Sequence, residues 1–374
     1  MCSLFSLFVV SIYLIPYAFP VDAMYKIERL NIDGLGLVEG PHWDVETQSL
    51  FFVDLRVGKI NMYTPATKRF ISIKTWDGTT SFIIPVRDRS DHFVVGEKLN
   101  VTLIHWDVEN NKIVSKQVLA TMPDKPTNRL NDGKCDSSGR LWLGTMSDAR
   151  GKDIKTGAGS FYSYSKNEGV KLQLKNITIS NGIAQSLDNK KFWYVDSRKF
   201  TVDEFDFNMD KGEIKNMRTL FDVKKHDIPG APDGLTTDAD GNLWVALFGG
   251  SRIIRVKPST GELLQTLSIP GSNTKVTSTG FGGPNLDELY VMATTDDETG
   301  SIFLVTGLGV RGHPPPSFNL PSLLTLQQHK IERLNIDGLT LVESPYWNIE
   351  TQSLFFVELR VGKIHMYTPA TKRA

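Results

Sequence analysis

Cysteine is nearly missing from this 374-residue chain: Cys2 and Cys135 are the whole complement, which excludes a disulfide framework and any cysteine-rich zinc site. The seven histidines show no ligand spacing, so a zinc site built from cysteine and histidine is not expected either. Surplus charge is missing too. Lysine plus arginine number 42 and aspartate plus glutamate 42, so no basic excess points to nucleic acid or an anionic membrane. Beyond residue 24 no convincing helical period runs for ten residues or more. Phosphate-binding glycine loops, the Gly-x-Ser-x-Gly elbow and His-Glu-x-x-His are all absent.

What is plentiful is the punctuation of short elements. The 31 glycines and 18 prolines together are about one residue in eight, a frequency that fits strands joined by tight turns better than a helical bundle. With 40% hydrophobic and 22% charged residues the composition is that of a soluble globular protein. At ~150 residues per domain, the length suggests either two domains or one large all-β domain.

The two ends stand apart from the body. Residues 1–23, MCSLFSLFVVSIYLIPYAFPVDA, form an apolar run that ends in small residues and carries no charge before Asp22. They read as a secretory signal peptide without the usual basic start. Pro16 and Pro20 leave barely fifteen uninterrupted residues, short of a ~20-residue membrane span. Cleavage would make the chain extracellular and remove Cys2; a start site further along would leave it cytoplasmic. The sequons Asn100-Val-Thr and Asn176-Ile-Thr are no more than chance supplies in this length. At the other end, residues 330–373 repeat residues 26–69 with 37 of 44 positions identical. That offset occurs once, so it is a copied segment and not a structural period. The expected layout is therefore signal peptide 1–23, a main domain 24–320, a linker 321–329 and an appended partial duplicate 330–374.

Within the body a weaker repeat recurs. A polar, turn-rich stretch precedes a strand with an aromatic residue: DVETQSLFFVDL, DRSDHFVVGE, DSSGRLWLGTM, LDNKKFWYVDS, DADGNLWVALF and NLDELYVMAT. The markers Phe52, Phe93, Trp142, Trp193, Trp244 and Tyr290 are spaced by 41, 49, 51, 51 and 46 residues. Six units of this size, each with several short β-rich runs, predict an all-β, six-bladed β-propeller. A generic pair of β-sandwiches is the alternative. DADGNLW, at first sight an EF-hand fragment, has its glycine and later ligands misplaced and reads as a hairpin turn.

Each marker follows, by 11 to 13 residues, a small polar stretch: VEGPHW with Glu39, TTSFII with Ser81, NRLNDG with Asn131, ISNGIA with Asn181, APDGLT with Asp233 and TSTGFG with Ser278 or Thr279. Any one of these alone reads as an ordinary Asn/Asp-Gly turn. Four in the same phase of a six-fold repeat instead predict a ring of oxygen donors, Glu39, Asn131, Asn181 and Asp233, around a central channel. Such donors suit hard divalent cations.

The motifs VEGPHWDVETQSLFFVD, NRLNDGKCDSSGRLWLGTM, ISNGIAQSLDNKKFWYVDS, PDGLTTDADGNLWVALFGGSRIIRVKPSTG and IFLVTGLGVRG resemble the family of gluconolactonase, regucalcin (senescence marker protein) and luciferin-regenerating enzyme, over residues 27 to 318. The resemblance implies a propeller with one central divalent cation (Ca²⁺, Zn²⁺, Mn²⁺ or Mg²⁺). It implies Glu39, Asn181 and Asp233 as metal ligands, Asp233 also as general acid/base, and Arg129 and Asn131 as substrate contacts. Asp148 joins the substrate contacts as the first of the family's acidic pair after Gly-Thr-Met; the second is replaced by Ala149. His42, inside a variant of the usual Pro-x-Trp, reads as packing. The function implied is metal-dependent hydrolysis of a lactone ring, most directly an aldonolactone. A calcium-binding regulator and a luciferin-regenerating type of enzyme on a non-sugar substrate are the alternatives. The expected partner is a small-molecule lactone, with no nucleic acid, no membrane after signal cleavage, and a monomeric chain.

Overall fold

A computed structural model describes residues 25–76, 78–149, 153–271 and 274–320, together with the strands Val342–Asn348, Ser353–Glu358 and Lys363–Tyr367. The segments expected to be signal peptide (1–23) and linker (321–329) lie outside the described residues. The contacts divide the chain into two units after Leu320.

The first unit is all-β, with single 3₁₀ turns at Leu55–Val57 and Ser197–Lys199. After β1 (Lys26–Arg29), the first blade is β2 (Val38–Asp44), β3 (Ser49–Asp54), β4 (Lys59–Thr64) and β5 (Arg69–Lys74). The second is β6 (Thr80–Val86), β7 (Arg89–Glu97), β8 (Asn100–Asp107) and β9 (Lys112–Thr121). The third is β10 (Asn128–Cys135), β11 (Leu141–Ser147), β12 (Gly159–Ser165) and β13 (Gly169–Ile177). The fourth is β14 (Ser180–Gln185), β15 (Lys191–Asp196), β16 (Thr201–Asn208) and β17 (Glu213–Asp222). The fifth is β18 (Ala231–Thr237), β19 (Leu243–Phe248), β20 (Arg252–Lys257) and β21 (Glu262–Ser268). The sixth has β22 (Lys275–Gly282), β23 (Glu288–Thr294) and β24 (Gly300–Thr306), and β1 supplies its outer strand, antiparallel to β24. The ring is thus closed by joining the start of the domain to its last blade, which leaves no blade a strand short.

The core lies between blades. Six hydrophobic clusters occupy the six blade-to-blade interfaces, and the aromatic markers, each on the second strand of its blade, are among their most buried members. Phe51, Phe93 and Trp106, for example, join the first two blades, with Phe51 and Phe93 ring centroids 4.8 Å apart. Fully burying one such ring stabilises by about 1.5–3 kcal/mol, so each interface carries several such increments.

Two blades share a local device that the sequence shows as Asp-x-x-Gly-x-Leu-Trp. Asp136 and Asp238 each accept the indole N–H of the following tryptophan, at 2.9 and 3.0 Å, and backbone N–H groups of the hairpin between. Each is also paired with an arginine, Arg140 at 3.1 Å and Arg255 at 2.6 Å. DADGNLW is therefore a hairpin turn locked by its own aspartate.

After β24 the chain crosses the face where the inner strands end. Ala239 donates to the Arg311 carbonyl and Gly312 to that of Leu286, at 2.7 Å each. Phe318 pairs with Pro85 and Arg87 at 2.9 Å, is fully buried, and stacks on Tyr164. This strap covers one end of the channel.

The second unit, described only as strands, is a three-stranded antiparallel sheet of β25 (Val342–Asn348), β26 (Ser353–Glu358) and β27 (Lys363–Tyr367). Its register shift between Glu343 and Tyr346 is that of β2 between Glu39 and His42.

Candidate active site in the central channel

Every inner strand breaks register at or beside the position predicted to face the channel. The breaks fall between Glu39 and His42, Thr80 and Ile83, Leu130 and Gly133, Asn181 and Ile183, Pro232 and Leu235, and Val276 and Ser278. A bulge inserts residues that pair with nothing on the neighbouring strand and re-aims their side chains. Asn-Asp-Gly, Asn-Gly and Pro-Asp-Gly are accordingly strand bulges here, not turns.

The glycines serve close approach. A Cβ on Gly182 would lie 2.6 Å from the Asp233 carbonyl oxygen, and one on Gly234 would lie 2.3 Å from the Ser278 hydroxyl. Inner strands this near one another bring their polar side chains into a single cluster.

Asn131 and Asn181 are bonded directly. Asn131 Nδ2 donates to Asn181 Oδ1 and to the Ser180 carbonyl, both at 2.8 Å. Asn181 Nδ2 donates to Ser197 Oγ at 2.8 Å, which fixes its amide so that Oδ1 keeps a second lone pair. Arg129, buried, donates through Nη1 to Asn131 Oδ1 at 2.7 Å and to the Leu130 carbonyl at 2.8 Å. Its Nε lies 3.5 Å from Asp148 Oδ1 at the rim. Of the two further strands, Ser81 donates its hydroxyl to the Leu130 carbonyl at 2.7 Å, and Ser278 packs on Gly234.

The carboxylates disturb one another. Burial, then repulsion from Asp132, pushes Glu39 up to about 8, against the pull of Arg129. Asp233 is raised well above the carboxylate range by burial and by the charges of Glu39 and Asp132. Its Oδ1 is buried with no hydrogen-bond partner among the described residues. Burial also raises Asp132, which Lys134 partly offsets. Three acids held together in a desolvated space are a poor arrangement for a chain alone and a good one around a cation.

The structure thus brings together Glu39, Asn131, Asn181, Asp233 and Arg129, with Asp148 half-exposed beyond Arg129. The motif reading missed three residues. Asp132 enters because the bulge in β10 leaves both Asn131 and Asp132 unpaired. Lys134 is held by a 2.7 Å bond to the Leu235 carbonyl. Arg56, from the 3₁₀ turn after β3, lies 3.9 Å from Asp148 and, after burial, helps to lower Arg129 to about 10. Asp132 and Lys134 were legible in NRLNDGK as charges flanking a channel residue; Arg56 had no motif signal.

Residues 37–295 match the family described as SMP-30/Gluconolactonase/LRE-like region. The chain belongs to that family. Regucalcin from Macaca fascicularis is 36% identical over 305 residues, covering 78% of this chain and 98% of the relative. A solved luciferin-regenerating enzyme is 41% identical, with a TM-score of 0.75 over 79% of this chain and all of that one. A calcium-binding protein, regucalcin, from Agrobacterium tumefaciens aligns with a TM-score of 0.67 at 23% identity, over 78% of this chain and 97% of its own; at that identity it supports the propeller and no more. The six-bladed architecture expected from the aromatic period is thus found both in the strands and in the relatives.

Proposed function

We propose that this member of the family is a divalent-cation-dependent lactonase acting most directly on aldonolactones. The observation that carries the reading is Asp233: a buried carboxylate whose Oδ1 has no partner, set beside Glu39 and within the reach of an Arg129–Asn131 clamp. Glu39, Asn181 and Asp233 fit a hard cation by their oxygen chemistry. When bound, it would supply Lewis-acid stabilisation of the charge that builds on the lactone carbonyl oxygen.

The chain's own residues do the rest. Arg129 is held rigid by the Leu130 carbonyl and Asn131, so its planar fork is preorganised to orient substrate oxygens. Asp233 takes the proton of the attacking water on a carboxylate oxygen. It returns that proton to the ring oxygen as the C–O bond breaks, leaving the open-chain hydroxy acid. A cation held beside it would offset the burial and the charge of Glu39 that raise Asp233, and would keep its carboxylate ionised to accept that proton. Substrate would reach the cluster past the half-exposed Asp148, beside Arg56 and Arg129.

Ala149 and the 41% identity to a luciferin-regenerating enzyme favour, as a second reading, a non-sugar ring as substrate. A regulator that only binds calcium has no use for the Arg129–Asn131 clamp. Turnover of a panel of aldonolactones and non-sugar lactones by the full chain, with Ca²⁺, Mn²⁺ or Zn²⁺, decides among these. Asp233→Asn should lose at least ~100-fold in kcat. Silence on every lactone with every metal would leave only the binding reading.

A further inference from the structure

Away from the channel, the second blade carries a cluster that the motif reading had set aside. His92 on β7 and His105 on β8 are cross-strand partners, so the backbone fixes their separation. Their rings stack with centroids 4.5 Å apart and planes 10° from parallel. Both turn a nitrogen to the same carboxylate: His92 Nδ1 lies 2.5 Å from Asp91 Oδ1, and His105 Nε2 lies 2.9 Å from Asp91 Oδ2.

We propose that Asp91, His92 and His105 form a second metal site, for a borderline transition-metal dication of the zinc type. The three ligand atoms lie within 4.8 Å of one another. A tetrahedral ion with bonds of ~2.0–2.1 Å spaces its ligands about 3.3 Å apart, so His92 Nδ1 and Asp91 Oδ1, now 2.5 Å apart, must separate by less than an ångström. Asp91, half-exposed at 49%, is free to make that movement, while the cross-strand pairing holds the two histidines side by side. Two imidazoles and one carboxylate select zinc-like ions over Ca²⁺ and Mg²⁺, which prefer all-oxygen shells. The channel's oxygen donors have the opposite preference, so the two sites separate by chemistry as well as by position. Cysteine plays no part. The thirteen-residue gap between the histidines matches no metal motif because the ligands meet across a hairpin.

Three protein ligands leave coordination open. The cluster borders a cleft of about 540 Å³ between the first two blades, lined also by Arg69, Asp107 and Glu109. Asp107 and Glu109 favour approach of a cation, and Arg69, paired with Glu109 at 3.2 Å, adds a donor for an anionic ligand on the metal.

The test titrates Zn²⁺ into the full chain with the channel saturated by Ca²⁺, and records the visible spectrum after Co²⁺ substitution. The unchanged chain and Glu39→Gln should each bind one zinc ion and give tetrahedral cobalt bands. His92→Ala, His105→Ala and the gentler His105→Gln should bind zinc at least ~10-fold more weakly and lose the bands, with unchanged circular dichroism. Equal zinc affinity and spectra in the histidine variants would overturn the proposal. So would loss of both in Glu39→Gln alone, which would place the zinc in the channel.

Discussion

Glu39→Gln should make the cation-free protein more stable and the cation-bound protein impossible to form. Burial and Asp132 raise Glu39 from 4.5 to about 8, so the folded chain keeps this proton over a range in which the unfolded chain has lost it. The stability associated with the group is fully present below pH 4.5 and is lost as pH rises through about 8. At ~1.4 kcal/mol per pH unit, the penalty at pH 7 comes to about 3 kcal/mol. The proton belongs to the Glu39–Asp132–Asp233 group as a whole, so one substitution relieves at most that amount. Urea unfolding in chelator from pH 5 to 9 measures it. The variant should exceed the unchanged chain increasingly with pH, and its pH slope should be shallower. Adding Ca²⁺ to a hundred times Kd should stabilise the unchanged chain by about 2.7 kcal/mol and the variant by nothing. A variant that is less stable in chelator at pH 7, or has the same slope, would refute the account of Glu39 as an acid held against its electrostatic preference for the sake of a ligand.

Burial holds His42 down at about 4 against the pull of Asp44, so its stabilising contribution is lost as pH falls from 6.5 through 4, about 3 kcal/mol in all. His42→Tyr, the residue that the duplicate carries at position 346, should flatten that limb of the acid unfolding curve. Arg129→Lys keeps the charge and loses the planar fork, so steady-state kinetics on the best lactone should show KM raised ~10-fold or more. Gly182→Ala drives a Cβ to 2.6 Å from the Asp233 carbonyl and should cost about 1–3 kcal/mol in thermal unfolding together with a drop in kcat.

Fold and site were legible to different degrees, for physical reasons. Phe52, Phe93, Trp142, Trp193, Trp244 and Tyr290 fill equivalent places between blades, so packing imposed a period that survives in sequence. The closure of the ring by β1 left no such trace, because the Lys26–Arg29 strand pairs with Gly300–Thr306 across almost the whole domain. Glu39, Asn131, Asn181 and Asp233 were readable because a bulge recurs at one phase of each blade. Asp132 was visible there only as a charge beside Asn131; that it shares the bulge, and so joins the site, is set by pairing with the partner strand and not by residue type. The His92–His105 pair was hidden for the same kind of reason. Register across a hairpin, not spacing along the chain, decides which side chains meet.

The segment after Leu320 provides the last test. Among the described residues, each interface cluster draws on both of the blades that it joins, and the strap ends on Phe318, buried between Pro85, Arg87 and Tyr164. Β2 is bonded to β3 and covalently continuous through the first blade, so a second copy of the same strands has no free place in the ring to fill. A chain ending at Leu320 should therefore unfold at an unchanged midpoint and retain full lactonase activity. A chain ending at Thr306 removes the strap, exposes the surface under Phe318 and opens the far end of the channel. Its loss should be at least the ~1.5–3 kcal/mol of one buried aromatic ring, with KM rising as the substrate site gains a second opening. If the chain ending at Leu320 melted earlier or lost turnover, residues 321–374 would be holding the propeller closed, and the strap alone would not be its seal.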